Sequence, residues 1–182
     1  MRNHAKIWAA LSMAFWIGSS ASAAPKKDAD YRTRECAFRY PAEYKLSVAH
    51  HGTVIRLALA SRSQYWQDAV AIRKHNKETE ECDLPQSTTP EAGPKRKIAG
   101  RVAHGYSGED AAMNRFVKTK GYVIEMTTSC WRFELIRKGR PWQKFGFSKE
   151  EQKRLDKQSE QDAKAADAAF KMILDSFVLL RQ

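Results

Sequence analysis

The sequence predicts an α+β fold: an antiparallel β-sheet packed by helices, with a long C-terminal helix and a closing strand. Three observations predict it. Short alternations of apolar and polar residues recur between residues 36 and 128, the period-two signature of half-buried antiparallel strands. Residues 148–174 then run without Gly or Pro and gather apolar side chains at helical spacing toward their end. The chain finishes on Phe177-Val178-Leu179-Leu180, a short apolar run of strand type. Strands, then a helix, then a strand is the order of an α+β domain. The size agrees, because 182 residues with 42% hydrophobic and 10% aromatic side chains build one core rather than two. Nine Gly and six Pro exclude a collagen-like chain. Three Cys exclude a disulfide-framework mini-protein and a Cys₄ zinc site.

Ahead of the domain, residues 1–23 read as a secretory signal peptide. Arg2 and Lys6 supply the positive start, residues 7–18 (IWAALSMAFWIG) the apolar run, and Ala21-Ser22-Ala23 the small-x-small cleavage pattern. Spanning a bilayer takes about 20 apolar residues, so the run is too short to remain as an anchor. The expected product is periplasmic or secreted, with no transmembrane anchor after cleavage. Residues 24–34 are polar and expected as a flexible leader, and residues 35–182 as a single domain.

The elements follow in order. Residues 36–40 (CAFRY) alternate and end at Pro41, which closes a strand. Residues 44–50 and 53–60 flank His51-Gly52 and read as a hairpin. Residues 69–72 are a fourth strand. Residues 77–97 carry Pro85, Pro90, Gly93 and Pro94 and read as loop. Residues 98–104 (IAGRVAH) resume strand character, with Gly105 and Gly108 as turn residues. Residues 114–119 and 122–128 flank Lys120-Gly121, which reads as a tight turn. Residues 131–136 continue the sheet or begin a helical turn. Ser148 and Glu151 form a capping box that starts the helix. The first half of that helix is polar all round, so it is expected to project outward and dock only near its end.

This ordered set resembles the PsbP-like domains. The residues that carry the resemblance are Phe38-Arg39-Tyr40-Pro41 followed by Tyr44, and Gly52 with Val54 and Leu57. They continue with Ile98-Ala99-Gly100-Arg101-Val102-Ala103, Gly121 to Ile124, and the closing Ser176-Phe177 run. The resemblance covers residues 35–182. It implies an α/β/α sandwich of the kind that hosts small extracytoplasmic adaptor and binding proteins. Two departures stand out: residues 132–164 look like a basic, then helical insertion, and Tyr44 replaces the usual Trp after Tyr-Pro. No photosynthetic role and no manganese or calcium ligand carries over.

Formal net charge is +11. The excess is uneven: residues 24–147 hold 23 basic against 14 acidic residues, while seven of each balance beyond residue 148. The densest stretches are Lys95-Arg96-Lys97 and residues 132–144 (RFELIRKGRPWQK). Cations interleaved with Trp131 and Trp142 suit an anionic surface. Nucleic acid is not expected of an exported chain; an acidic protein or an anionic envelope component is. The candidate binding residues are therefore Arg132, Arg137, Lys138, Arg140, Trp142, Lys95, Arg96 and Lys97. The bland alternative is a solvated basic surface that keeps the protein soluble. Phe145 and Phe147 either join that contact or seat the segment on the core.

Of the three cysteines, all three pairings are open. Cys82–Cys130 is preferred, because Cys36 shares a strand face with Phe38 and Tyr40 and suits a buried thiol; three free thiols is the alternative. His50-His51, His75 and His104 lack chelating spacing, so no metal or cofactor is expected. Gly105-Tyr106-Ser107-Gly108 lacks the G-x-S-x-G elbow, and Glu109-Asp110 reads as a turn or cap. The expected function is a non-enzymatic binding or adaptor module. An envelope hydrolase built on His104, Ser107 or Glu109 is the alternative, and so is an assembly factor acting through the long helix.

Overall fold

A computed structural model describes residues 28–49, 54–58, 63–77, 82, 91–112 and 114–180, and among these residues it has ten strands, a single 3-10 turn at Trp142–Lys144 and one long helix. The signal-peptide reading and His50-His51 lie outside the described residues. The strands are β1 (Asp28–Arg32), β2 (Cys36–Pro41), β3 (Lys45–Val48), β4 (Val54–Ala58), β5 (Trp66–Asn76), β6 (Glu91–Ile98), β7 (Arg101–Ala112), β8 (Arg115–Glu125), β9 (Ser129–Gly139) and β10 (Val178–Leu179). The helix, α1, is Lys149–Ser176. Two antiparallel sheets result, β1-β2-β10 and β3-β4-β5-β9-β8-β7-β6. The fold class is α+β, as the order of signals predicts.

The pleat sorts every strand of the large sheet into a helix face and a reverse face. Val70, Ile72, Phe133, Ile124 and Leu57 are fully or almost fully buried on the helix face, against Ile173, Phe170 and Phe177 at the end of α1. Phe133 and Phe177 meet edge to face at 4.7 Å. The small sheet adds Cys36 and Phe38 to this core. No helix covers the reverse face among the described residues, so the second helical layer of an α/β/α sandwich is not seen there. No helix among them is long and apolar enough to cross a membrane.

Ser148 caps α1, its Oγ accepting from the Glu151 amide at 3.2 Å. The helix does not project at its start. Leu155 is buried with Trp66 and Trp142 in a second cluster. Side-chain bonds along its first two thirds then tie α1 to the rest of the chain, among them Trp142 Nε1 to Asp156 (3.0 Å), Arg137 Nη1 to the Ser159 carbonyl (3.2 Å), Trp66 Nε1 to Asp162 (3.0 Å) and Tyr44 Oη to the Ala165 carbonyl (3.3 Å). Asp156, Ser159 and Asp162, whose polarity suggested exposure, are partners for β5, β9 and the turn after β9.

Five other expectations change. The leader is ordered from Asp28, because Ala29 and Tyr31 alternate inward and Tyr31 packs on Phe38 at 5.0 Å. Residues 91–98 are a strand despite Gly93 and Pro94. β6 is an edge strand whose register shifts between Gly93 and Arg96, the place where a missing N–H is tolerated. Residues 98–104 are not one strand: Ala99 (φ 50°) and Gly100 (φ 75°) make the two-residue turn between β6 and β7. Lys120-Gly121 is not a turn but the middle of β8, and residues 132–139, read as the start of an insertion, are the body of the central strand β9.

Candidate binding surfaces

The alternation along β9 decides where its cations point. Register pairs Arg132 with Arg73, Glu134 with Ala71, Ile136 with Ala69 and Lys138 with Gln67, so all of these lie on the reverse face. Pairing of β4 with β5, and of β3 with β4, adds Arg56 and Lys45 to the same face. Over β3, β4, β5 and β9 the reverse face thus holds Lys45, Arg56, Arg73, Arg132 and Lys138 against a single carboxylate, Glu134.

Glu134 is 3% exposed. It accepts from Tyr106 Oη at 2.9 Å and ion-pairs with Arg73. Burial pushes the Tyr106 phenol up, with Arg132 and Arg73 opposing the shift. Burial lowers the Arg73 guanidinium below its ordinary value, and the neighbouring charges of Arg132 and Arg56 lower it further. One buried carboxylate thus faces several cations on this side of the sheet. Beside them, Ala69 and Ala71 form the floor of a depression of about 390 Å³, lined also by Ser47, Val54, Arg56, Gln67, Arg73, Ile136 and Lys138. No carboxylate is among its described lining residues.

The helix face carries a second concavity. α1 covers β5 and β9 and leaves a cleft of about 820 Å³ beside β7 and β8. Leu135, Ala163 and Ala166 are apolar in it, and its charged residues other than Glu91 are paired. Arg137 donates from Nε and Nη2 to the two oxygens of the buried Asp68 at 2.6 and 2.7 Å. That fork, ahead of its burial, raises the Arg137 guanidinium above its ordinary value. Lys120 meets Asp167 at 2.6 Å and Lys118 meets Glu109 at 3.1 Å.

The residues expected to bind are thus divided. Arg132 and Lys138 share the reverse face. Arg137 lies on the helix face, spent on Asp68 and Ser159. Trp142 is 8% exposed, 5.0 Å from Trp66, and cannot anchor a partner; Trp131 is likewise core. Arg140 is exposed just past β9. Lys95 and Lys97 are exposed on the edge strand β6, three strands from β9, or about 14 Å at the usual strand spacing. Arg96 ion-pairs with Asp175. Phe147 packs against the second cluster, whereas Phe145 is exposed. Cys82 and Cys130 form the disulfide, with Cα atoms 6.0 Å apart, and Cys36 is a buried free thiol. Arg56 and Arg73 were missed. They join the cluster through strand pairing, which local composition does not reveal.

No family model matches the chain, and no curated protein matches it. Among solved structures, that of LpqN, involved in cell envelope biogenesis of Mycobacterium tuberculosis, is similar with a TM-score of 0.46. The two are 9% identical over 85% of this chain and 91% of that one. A likeness this distant says nothing about function.

Proposed function

We propose that the chain is an exported, non-enzymatic binding module whose working surface is the reverse face of the large sheet, and that its partner is anionic. The observation that carries this reading is the five cations over β3, β4, β5 and β9 against one carboxylate, itself buried. Such an imbalance attracts an acidic partner from a distance and accelerates encounter. The resemblance of the chain to PsbP-like domains and its signal-type start support an adaptor at the cell envelope.

The test is retention of the mature chain on immobilised polyglutamate. Retention at low salt should disappear by roughly 0.5 M salt, where the screening length has shrunk to a few ångströms. Arg56→Glu with Lys138→Glu should release the protein at lower salt than the parent. Retention indifferent to both salt and charge reversal would sink the proposal.

The hydrolase alternative has less support. Ser107 and Glu109 do line the cleft, and Ser107 pairs with Lys120 across the β7–β8 ladder. But Lys120 is ion-paired with Asp167, and a Ser–Lys nucleophile pair needs an amine free to take the proton. His104 lies on the reverse face, opposite Val123, and is out of reach as a base.

A further inference from the structure

The cationic face has a feature that general attraction does not require. Its depression is floored by the two smallest side chains of central β5, Ala69 and Ala71, and larger residues at those positions would fill it. Three cations on three strands converge on that floor. Arg56 sits opposite Ala71 on β4, Arg73 follows two residues along β5, and Lys138 stands on β9 beyond Ile136. Among the described residues, no acidic group is paired with Arg56 or Lys138. Arg73 uses Glu134, but a guanidinium carries five N–H donors, more than that one carboxylate consumes.

From this geometry we infer that the depression is a seat for one phosphate ester group, held between Arg56, Arg73 and Lys138. The inference rests on the proposed function and narrows it from a charged face to a site. The Arg56 fork, the Arg73 donors that Glu134 leaves over and an ammonium supply the donors a tetrahedral oxyanion needs. The cations exceed the charge of a carboxylate and suit the higher charge of a phosphate monoester. The size agrees, since about 390 Å³ lies at the low end of the roughly 300–1,000 Å³ of small-ligand sites. Apolar Val54 and Ile136 at the wall accept the carbon skeleton of the ester. An anion there would also relieve the mutual repulsion of Arg56, Arg73 and Arg132, which adds to burial in lowering Arg73.

The ester group has two sources, a soluble organophosphate or a lipid headgroup, and the experiment separates them. The mature chain is titrated calorimetrically with glycerol phosphate. It is also sedimented with phosphatidylcholine vesicles, with and without phosphatidic acid. Arg56→Gln, Lys138→Gln and, as a control on the exposed side of α1, Lys153→Gln are measured alongside, each with its melting temperature. The inference expects saturable glycerol phosphate binding, weakened about tenfold or more by Arg56→Gln and Lys138→Gln and untouched by Lys153→Gln. Vesicle binding that requires phosphatidic acid and is competed by glycerol phosphate assigns the lipid source. Saturable glycerol phosphate binding without vesicle binding assigns the soluble one. If the chain is retained on polyglutamate but glycerol phosphate neither binds nor competes, the seat is overturned and the charged face stands. If it is retained on nothing anionic, both fall.

Discussion

Gly121 shows how a single residue can be misread from sequence and still be indispensable. It reads as a turn residue because Lys-Gly separates two alternating runs. In the fold it is an interior residue of β8, paired with Tyr106. A Cβ there would lie 2.7 Å from the Tyr106 ring and against the Phe133 carbonyl oxygen. The glycine exists to let the phenol lie across the strand and reach Glu134. Gly121→Ala must push Tyr106 away or open the β8–β9 ladder, at a cost of about 1–3 kcal/mol as for other overpacked cores. Chemical denaturation should show that loss. The useful comparison is Gly100→Ala, where φ is 75° but nothing lies within 4 Å of the added carbon; it costs about 1 kcal/mol from backbone strain alone. Equal, negligible losses at both positions would contradict the close packing at Gly121.

At the level of elements, what was legible followed from strong periodicity, and what was not followed from position in the sheet. The helix cap at Ser148, the helix end near Ser176 and the closing strand all show locally. β6 does not, because Gly93 and Pro94 are breakers anywhere except on an edge. The faces of β9 were within reach: once residues 129–139 are a strand, alternation alone sends Arg132 and Lys138 one way and Arg137 the other. The pairing that brings Arg56 and Arg73 beside them was not, since it joins residues far apart in sequence. The polar start of α1 is misleading for a related reason. Its polarity serves the sheet through Ser159 and Asp162 and the segment after β9 through Asp156, and its one large apolar contact is Leu155. Leu155→Ala should therefore cost about 2–4 kcal/mol, although the surrounding sequence looks solvated. Thermal unfolding would show it. A change below about 0.5 kcal/mol would mean that the first half of α1 is not docked.

For the whole molecule, the buried titratable groups set a direction for its response to pH. Burial raises the Cys36 thiol above 9.0, with the Thr33 hydroxyl opposing. Burial also raises the Tyr44 and Tyr106 phenols above 10.0; at Tyr44 the charges of Glu43 and Asp68 add to it. All three groups are neutral when protonated, and the fold favours that form. The unfolded chain gives up these protons at lower pH than the native chain does. Unfolding therefore releases protons at alkaline pH, and stability must fall as pH rises. The stabilisation is fully present below about pH 8.5, starts to fade as the unfolded thiol titrates, and fades faster once the unfolded phenols do. Each group contributes at most about 1.4 kcal/mol per pH unit, so three give a slope approaching 4 kcal/mol per unit above about pH 10. Melting temperature should be level from about pH 6.5 to 8 and drop steeply beyond 10. Tyr44→Phe, which removes one titrating phenol and its bond to the Ala165 carbonyl, should lower stability at neutral pH yet flatten the alkaline decline. A melting temperature that holds level to pH 11, with all six tyrosines ionising in the folded protein near pH 10, would mean these phenols are solvated, and with them the packing of the sheet around Tyr44 and Tyr106 would have to be redrawn.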